Sequence, residues 1–301
     1  MESINPNISL LSTRPAVMTV DLDRLAGNLR ALKALAGGAN VMAVVKANAY
    51  GHGLERCALH LERSGADALG CAYLEEGIIL RRAGVRVPVL VFGGLLADQV
   101  RAYIEHDLDL TASSLSKLEH IEQTAASLRR RARVHLKIDT GMERLGVHHY
   151  SAATLLERVR TLKWCDVAGI FSHFARADEA DPAFTRLQLE RFLECAEFFP
   201  RHGLPMPLRH IANSAGLLRH PDSRLDMVRP GIALYGVSPA PGFELPPDIR
   251  PVMTLSTRVV YFKVVRAGAG VSYGHAWTAP EDTRVITLPV GYGDGYPRTI
   301  T

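Results

Sequence analysis

Val41-Met42-Ala43-Val44-Val45-Lys46 is a run of five apolar residues ending directly on a lysine. An unbroken apolar run of this length, without polar alternation, is the signature of a strand buried on both faces, as in a parallel sheet. Upstream, Leu22, Leu25, Leu29 and Leu32 recur at helical spacing and predict an amphipathic helix over 23–36. Downstream, further apolar runs follow at 68–72, 88–92, 108–112, 133–138, 167–173, 208–212 and 225–229. Helical patterns lie between most of them, for example at 73–83, 114–128, 151–162 and 183–202, with Gly84 and Gly203 as stops. Strands alternating with helices in this number predict an α/β fold of the (β/α)8 TIM-barrel type. The rival is a doubly wound sheet, which normally carries G-x-G-x-x-G after its first strand. Here that position reads Lys46-Ala47-Asn48-Ala49-Tyr50-Gly51-His52-Gly53, which lacks the fingerprint.

Past residue 238 the texture changes. Pro239, Pro241, Pro246, Pro247 and Pro251 crowd one stretch that reads as a linker, and residues 252–265 and 284–290 read as strands without helices between them. The expected division is a barrel over 1–240 and the start of a mostly-β C-terminal domain over 241–301, incomplete at its end, with residues 1–14 open to packing on the β domain. The chain of 301 residues is 47% hydrophobic and 22% charged, an ordinary globular mixture. Its densest basic run, Arg129-Arg130-Arg131 with Arg133, has no aromatic residues interleaved, so it reads as a solvated helix end and no nucleic-acid partner is expected. The longest apolar run, Val87 to Ala97, is too short to cross a membrane, and residues 1–13 do not read as a signal peptide. Cys57, Cys71, Cys165 and Cys195 have no metal-ligand spacing and read as buried free thiols. A cytoplasmic protein without a metal site is expected.

In a (β/α)8 barrel, chemistry gathers at the C-terminal ends of the strands. Strand one ends in Lys46, strand five runs into Asp139-Thr140-Gly141-Met142-Glu143-Arg144, strand six ends in Ser172-His173, strand seven in Asn213-Ser214, and strand eight in Arg229-Pro230-Gly231-Ile232. A lysine at the end of a buried strand is desolvated, which lowers its pKa and favours an amine nucleophile able to form a Schiff base. The plainer reading is a lysine that escapes to solvent. Loops after strands seven and eight often bind phosphate; Ser214 offers a hydroxyl, Gly231 and Ile232 offer backbone N–H groups, and Tyr50 offers a phenol. The plainer readings are Ser214 as a helix N-cap, Arg229 paired with Asp226, His173 as an ordinary strand-end histidine, and Tyr273-Gly274 as a structural turn.

Six further segments accompany Val44–Gly53: Lys137-Ile-Asp-Thr-Gly-Met-Glu-Arg144-Leu-Gly, Ser172-His173-Phe174-Ala175, Ala212–Ala215, Met227–Gly236, Val271-Ser272-Tyr273-Gly274 and Val290–Tyr296. In this order they closely resemble the motifs of alanine racemases, over about residue 14 to the end of the chain. The resemblance implies pyridoxal phosphate (PLP) on Lys46 and a two-base racemisation of alanine that supplies D-alanine for peptidoglycan. Lys46 would serve one face of Cα, and Tyr273 of a second subunit would serve the other, so a homodimer with shared active sites is implied. Arg229 would donate to the pyridine nitrogen, with His173 hydrogen-bonded to it; a carboxylate at that position would instead suit related decarboxylases. Tyr50, Asn213, Ser214, Gly231 and Ile232 would hold the cofactor. Arg144 would meet the substrate carboxylate, and Lys137 matches a lysine that is often carbamylated. Tyr292, Asp178 and Arg298 match the family's substrate corridor, and His52 is expected to be structural. Family members continue past residue 301, so the resemblance also leaves open an inactive, PLP-binding barrel, with a broader racemase or a decarboxylase as weaker alternatives.

Overall fold

The computed structural model describes residues 14–297. They form two compact units: one runs from Asp21 to Val252, and the other joins residues 14–20 to residues 253–297.

Eight parallel strands of the larger unit line up around its core: β1 (Asn40–Val44), β2 (Ala68–Cys71), β3 (Val89–Val91), β4 (Leu110–Ala112), β5 (Ala132–Asp139), β6 (Cys165–Phe171), β7 (Leu208–His210) and β8 (Met227–Val228), and a short extra strand, Val147–His148, pairs with the end of β5. Strands β8, β1, β2 and β3 pair in that order, as do β4, β5, β6 and β7. A parallel bridge between Leu90 and Asp109 joins β3 to β4. Arg229 N donates to Ala212 O at 2.9 Å and Asp226 N to Arg209 O at 3.2 Å, which join β8 to β7. The sheet therefore closes on itself as a (β/α)8 barrel. Val41 to Val45 are buried throughout, and Met42, Ala68, Leu90 and Met227 meet as one cluster against Phe92.

The helices form where the apolar spacing places them. Leu22–Leu35 is capped by Asp21, whose carboxylate accepts from Arg24 N, and it buries Leu25, Leu29 and Leu32. Leu74–Ala83 stops at Gly84, which takes a left-handed conformation. No helix among the described residues is long and apolar enough to cross a membrane.

The proline-rich stretch is not a free linker. Asn28 on the first helix donates to Leu234 O and Arg250 O at 2.9 and 2.8 Å and accepts from Arg250 N at 2.9 Å. Phe243, Ile249 and Val252 are buried. The prolines prevent regular structure, but the apolar residues between them still drive packing. The barrel unit accordingly extends to Val252, beyond the expected boundary at 240.

The smaller unit is built from short antiparallel pairs: Val17–Val20 with Met253–Ser256, Tyr261–Val265 with Thr283–Thr287, and Gly270–Val271 with Trp277–Thr278. It is mostly β, and it recruits residues 17–20, which the sequence reading had placed with the barrel. Arg14 also belongs here, bonding Asp294 Oδ2 at 2.7 Å. Residues 1–13, expected to be open to packing on this unit, lie outside the described residues. Several large apolar side chains of this unit are exposed, among them Tyr261, Phe262, Val264 and Ile286.

Candidate active site

A cavity of about 680 Å3 opens at the C-terminal ends of the barrel strands. It brings together Lys46 and Tyr50 after β1, Lys137 and Arg144 from β5 and its loop, His173 after β6, Asn213 and Ser214 after β7, and Arg229, Gly231 and Ile232 after β8. Asp178 also lines it. Tyr273 and Tyr292 do not. They belong to the smaller unit, where they are 88% and 69% exposed. Arg298 lies outside the described residues.

The chain leaves β1 by a turn of unusual hand. Ala47, Asn48, Ala49 and Tyr50 all have φ between 52° and 55°, the left-handed region that costs an L-residue roughly 1–2 kcal/mol. Four in succession survive only because the surroundings hold them. Asn48 N donates to Glu76 Oε1 at 3.2 Å, and Asn48 Oδ1 accepts from Leu54 N at 2.9 Å. His52 Nδ1 lies 3.0 Å from both Ala49 O and Tyr50 O, and its ring packs 4.5 Å from that of Tyr235. His52 is thus structural. The turn aims Lys46 at the cavity. Burial lowers the Lys46 pKa, the charges of Arg144 and Arg229 lower it further, and Glu76 opposes them. The solvent-escape reading does not describe this amine.

Arg229 is held quite differently. It is 4% exposed. Its Nη2 donates to Ser172 O at 2.7 Å, Ile211 O at 3.3 Å and His173 Nδ1 at 3.3 Å, and Nη1 donates to His210 Nδ1 at 2.9 Å. Asp226, the partner in the plainer reading, instead binds Arg209 through two contacts of 2.8 and 3.0 Å. Burial pulls the Arg229 pKa down to about 9, which leaves it charged at neutral pH. His173 is driven well below the usual histidine range by burial and then by Arg229, Lys137, Arg144 and Lys46, so its ring is neutral. The sequence reading missed His210. It sits inside a run read as an apolar strand, and a buried polar residue there was the available signal.

Asn213, not Ser214, caps the short helix Ser214–Arg219: its Oδ1 accepts from Gly216 N at 2.9 Å. That frees the Ser214 hydroxyl oxygen, which accepts from Gly231 N at 2.9 Å and Ala233 N at 3.2 Å and retains its own proton to donate. A Cβ on Gly231 would lie 2.5 Å from the Tyr50 hydroxyl, so this glycine lets the phenol close over the backbone. The result is a cradle of a phenol, a hydroxyl and the Ile232 N–H suited to a phosphate, whereas the Gly231 N–H, expected to offer itself to the anion, is engaged by Ser214.

Across the cavity, Lys137 is buried without a hydrogen-bond partner for Nζ, which stands 4.8 Å from the Phe171 ring centroid. Burial and the charges of Arg229 and Arg144 lower its pKa well below the lysine range, against Asp139. The loop that carries Arg144 is folded around the Asp139 carboxylate, which accepts from the N–H groups of Gly141, Met142, Glu143 and Arg144 at 2.8–3.2 Å. Burial works against the Asp139 charge, but these four donors outweigh it and hold its pKa low. A phosphate cradle, a depressed lysine and a locked guanidinium around one cavity fit a phosphorylated carbonyl cofactor, and the orphaned Lys137 and Arg144 face the room left for an anionic substrate.

Comparison with known proteins supports that fit. Residues 20–239 match the family model "Alanine racemase, N-terminal domain", and residues 252–301 match "Alanine racemase, C-terminal domain". The alanine racemase of Thermobifida fusca is 43% identical over 285 residues, covering 94% of this chain and 76% of that protein. That of Symbiobacterium thermophilum is 42% identical over 288 residues, covering 96% and 76%. Among solved structures, the alanine racemase of Streptomyces coelicolor A3(2) matches with a TM-score of 0.90 at 39% identity, covering 96% of this chain and 78% of that one. The alanine racemase of a D-cycloserine-producing Streptomyces lavendulae matches with a TM-score of 0.89 at 38% identity, covering 95% and 76%.

Proposed function

The chain belongs to the alanine racemase family, and from that premise we propose which of its residues carry the reaction. It is an isomerase that interconverts L- and D-alanine with pyridoxal phosphate and supplies D-alanine for peptidoglycan. When bound, the cofactor delocalises the electron pair left on Cα as the proton departs.

Lys46 would hold the cofactor covalently before substrate binds and, released as a free amine when the substrate amine takes its place, would exchange a proton at Nζ on one face of Cα. Its depressed pKa keeps a larger share of the amine in the free-base form near neutral pH. Arg229 donates to the pyridine nitrogen. Charged at neutral pH and never an acceptor, it would leave that nitrogen unprotonated and limit the electron sink. A carboxylate there would do the opposite, which argues against decarboxylase chemistry. The Ser214 hydroxyl, the backbone around Gly231 and Ile232, and the Tyr50 phenol take the phosphate. Asn213 aims the Ser214–Arg219 helix at it. Arg144 takes the substrate carboxylate. Lys137 is a candidate for carbamylation, which would turn its orphaned amine into an anion able to pair with Arg144.

The base for the other face is Tyr273, supplied by a second copy of the chain, with Tyr292 along the substrate corridor. The phenol of Tyr273 is 88% exposed, and the same unit exposes several large apolar side chains, as an interface would require. Four free, buried cysteines suit a reducing cytoplasm. The chain spans 76% of the length of the Thermobifida relative. The observation that carries the assignment is the pairing of an amine of depressed pKa with a buried arginine, anchored by its neighbours yet keeping donors for the cavity, in one site. The test is to incubate the purified chain with PLP and L-alanine, recording the visible absorbance of lysine-bound PLP and assaying D-alanine. The expected result is a band and a product that both vanish in Lys46→Ala; an unchanged band in that variant would refute the assignment.

A further inference from the structure

Beneath the cofactor site the barrel interior contains a file of polar groups that the reaction never touches. His210 and His135 are 0% and 2% exposed, and His210 Nε2 lies 2.8 Å from His135 Nδ1. His135 Nε2 lies 3.3 Å from Asp109 Oδ2, and that oxygen also accepts from Arg133 Nη2 at 3.0 Å. With Arg229 Nη1 2.9 Å from His210 Nδ1, the file is continuous from the cavity to the carboxylate of Asp109 on the β3–β4 side.

Only one set of proton positions satisfies it. A guanidinium donates and never accepts, so His210 Nδ1 must be the acceptor and the neutral ring carries its proton on Nε2. That N–H donates to His135 Nδ1. His135 then carries its own proton on Nε2 and donates it to Asp109. Every bond is polarised the same way, from the cation to the anion. Burial first, and then Arg229, His135 and Lys137, disfavour a charge on His210 and keep it neutral.

The neighbouring strands are shaped to seat it. A Cβ at Gly169 on β6 would run into the His135 ring, and the β5–β6 register shifts between Val134 and His135. Phe171 stacks on His210 with centroids 4.9 Å apart and planes 2° apart. Both Nη2 hydrogens of Arg229 are engaged by Ser172 O, Ile211 O and His173, and one Nη1 hydrogen is engaged by His210. Nε–H and the second Nη1 hydrogen are what is left for the cavity.

We propose that His135 and Asp109 are positioning residues for Arg229: through His210 they fix the direction of each hydrogen bond behind the guanidinium and so the donors it turns to the cofactor ring. The proposal rests on Arg229 serving the pyridine nitrogen. Its first test needs no cofactor. In the full chain with 15N-labelled histidine, at about pH 8, above the ordinary histidine range, the His210 and His135 rings should each carry a proton on Nε2 and none on Nδ1. A proton on Nδ1 of either ring at that pH overturns the file.

The second test uses the PLP-loaded chain. His135→Phe, and Gly169→Ala, which alters no titratable group, should lower kcat about 10- to 100-fold, as loss of supporting hydrogen bonds typically does. KM for L-alanine should stay within about twofold, and the absorbance maximum of bound PLP should shift. Asp109→Asn, whose amide oxygen still accepts, should stay within about threefold of the parent, whereas Asp109→Leu should behave like His135→Phe. Parental kcat and spectrum in His135→Phe would overturn the positioning role. An unsubstituted chain that takes up no PLP would instead refute the cofactor assignment, with the ring-nitrogen result still deciding whether the file exists.

Discussion

Lys46 and Arg229 follow neighbouring strands, with Val41 of β1 in register with Val228 of β8, yet the fold treats the two cations in opposite ways. Lys46 is half-buried at the head of a left-handed turn, and burial and like charge set its pKa with no hydrogen bond among the causes. Arg229 is anchored by two carbonyls and two imidazoles, which leave only Nε–H and one Nη1 hydrogen for the cavity. The contrast separates two needs of one site. A group that forms a covalent link and exchanges protons has to be free to move and easy to deprotonate. A group that sets the electronic character of a ring has to stay charged and still. The energetic cost is placed accordingly, in backbone conformation for the first and in buried polar groups for the second.

Breaking each side separately should show this. Lys46→Ala removes the covalent anchor and one base, so activity should fall about a thousandfold or more. The same variant should change the urea-unfolding free energy by no more than about 1 kcal/mol, because no buried partner is orphaned. Arg229→Leu should also abolish activity, but it leaves buried acceptors on Ser172, Ile211 and His210 unpaired. It should therefore cost about 3–5 kcal/mol in the same unfolding measurement. Equal stability losses in the two variants would remove the distinction.

Two smaller effects sharpen the comparison. Gly231→Ala pushes a methyl group against the Tyr50 hydroxyl, and PLP titration should show about tenfold weaker binding, near 1.4 kcal/mol. Lys137 sits on neither side of the contrast: it is as buried as Arg229 and as unpartnered as Lys46. Its folded pKa lies well below the ordinary 10.5, so between those values the folded chain binds fewer protons than the unfolded chain. Stability should therefore rise with pH across that window, by at most about 1.4 kcal/mol per pH unit for one proton, and level off above 10.5. Lys137→Met should flatten that part of the profile, measured by denaturant unfolding at a series of pH values.

The barrel was legible because parallel strands buried on both faces leave continuous apolar runs, and each of the eight runs corresponds to a strand. The rim residues followed, since strand ends locate them. Three features did not follow from such patterns. Ala47-Asn48-Ala49-Tyr50 has ordinary helix-compatible composition, and its left-handed course is held by Glu76, 28 residues beyond Asn48. Residues 240–252 look like a linker, yet Asn28, more than two hundred residues earlier in sequence, holds them on the barrel. His210 and His135 lie within strands, where their partnership depends on Gly169 making room on the neighbouring strand. Each case turns on a contact distant in sequence, which local periodicity does not carry.

Borohydride reduction of the PLP-loaded chain, followed by proteolysis and mass mapping, tests the central claim most directly. The expected result is a single pyridoxyl mark, on the peptide containing Lys46. A mark on Lys137, or marks spread over surface lysines such as Lys33 and Lys117 with Lys46 unmodified, would contradict it.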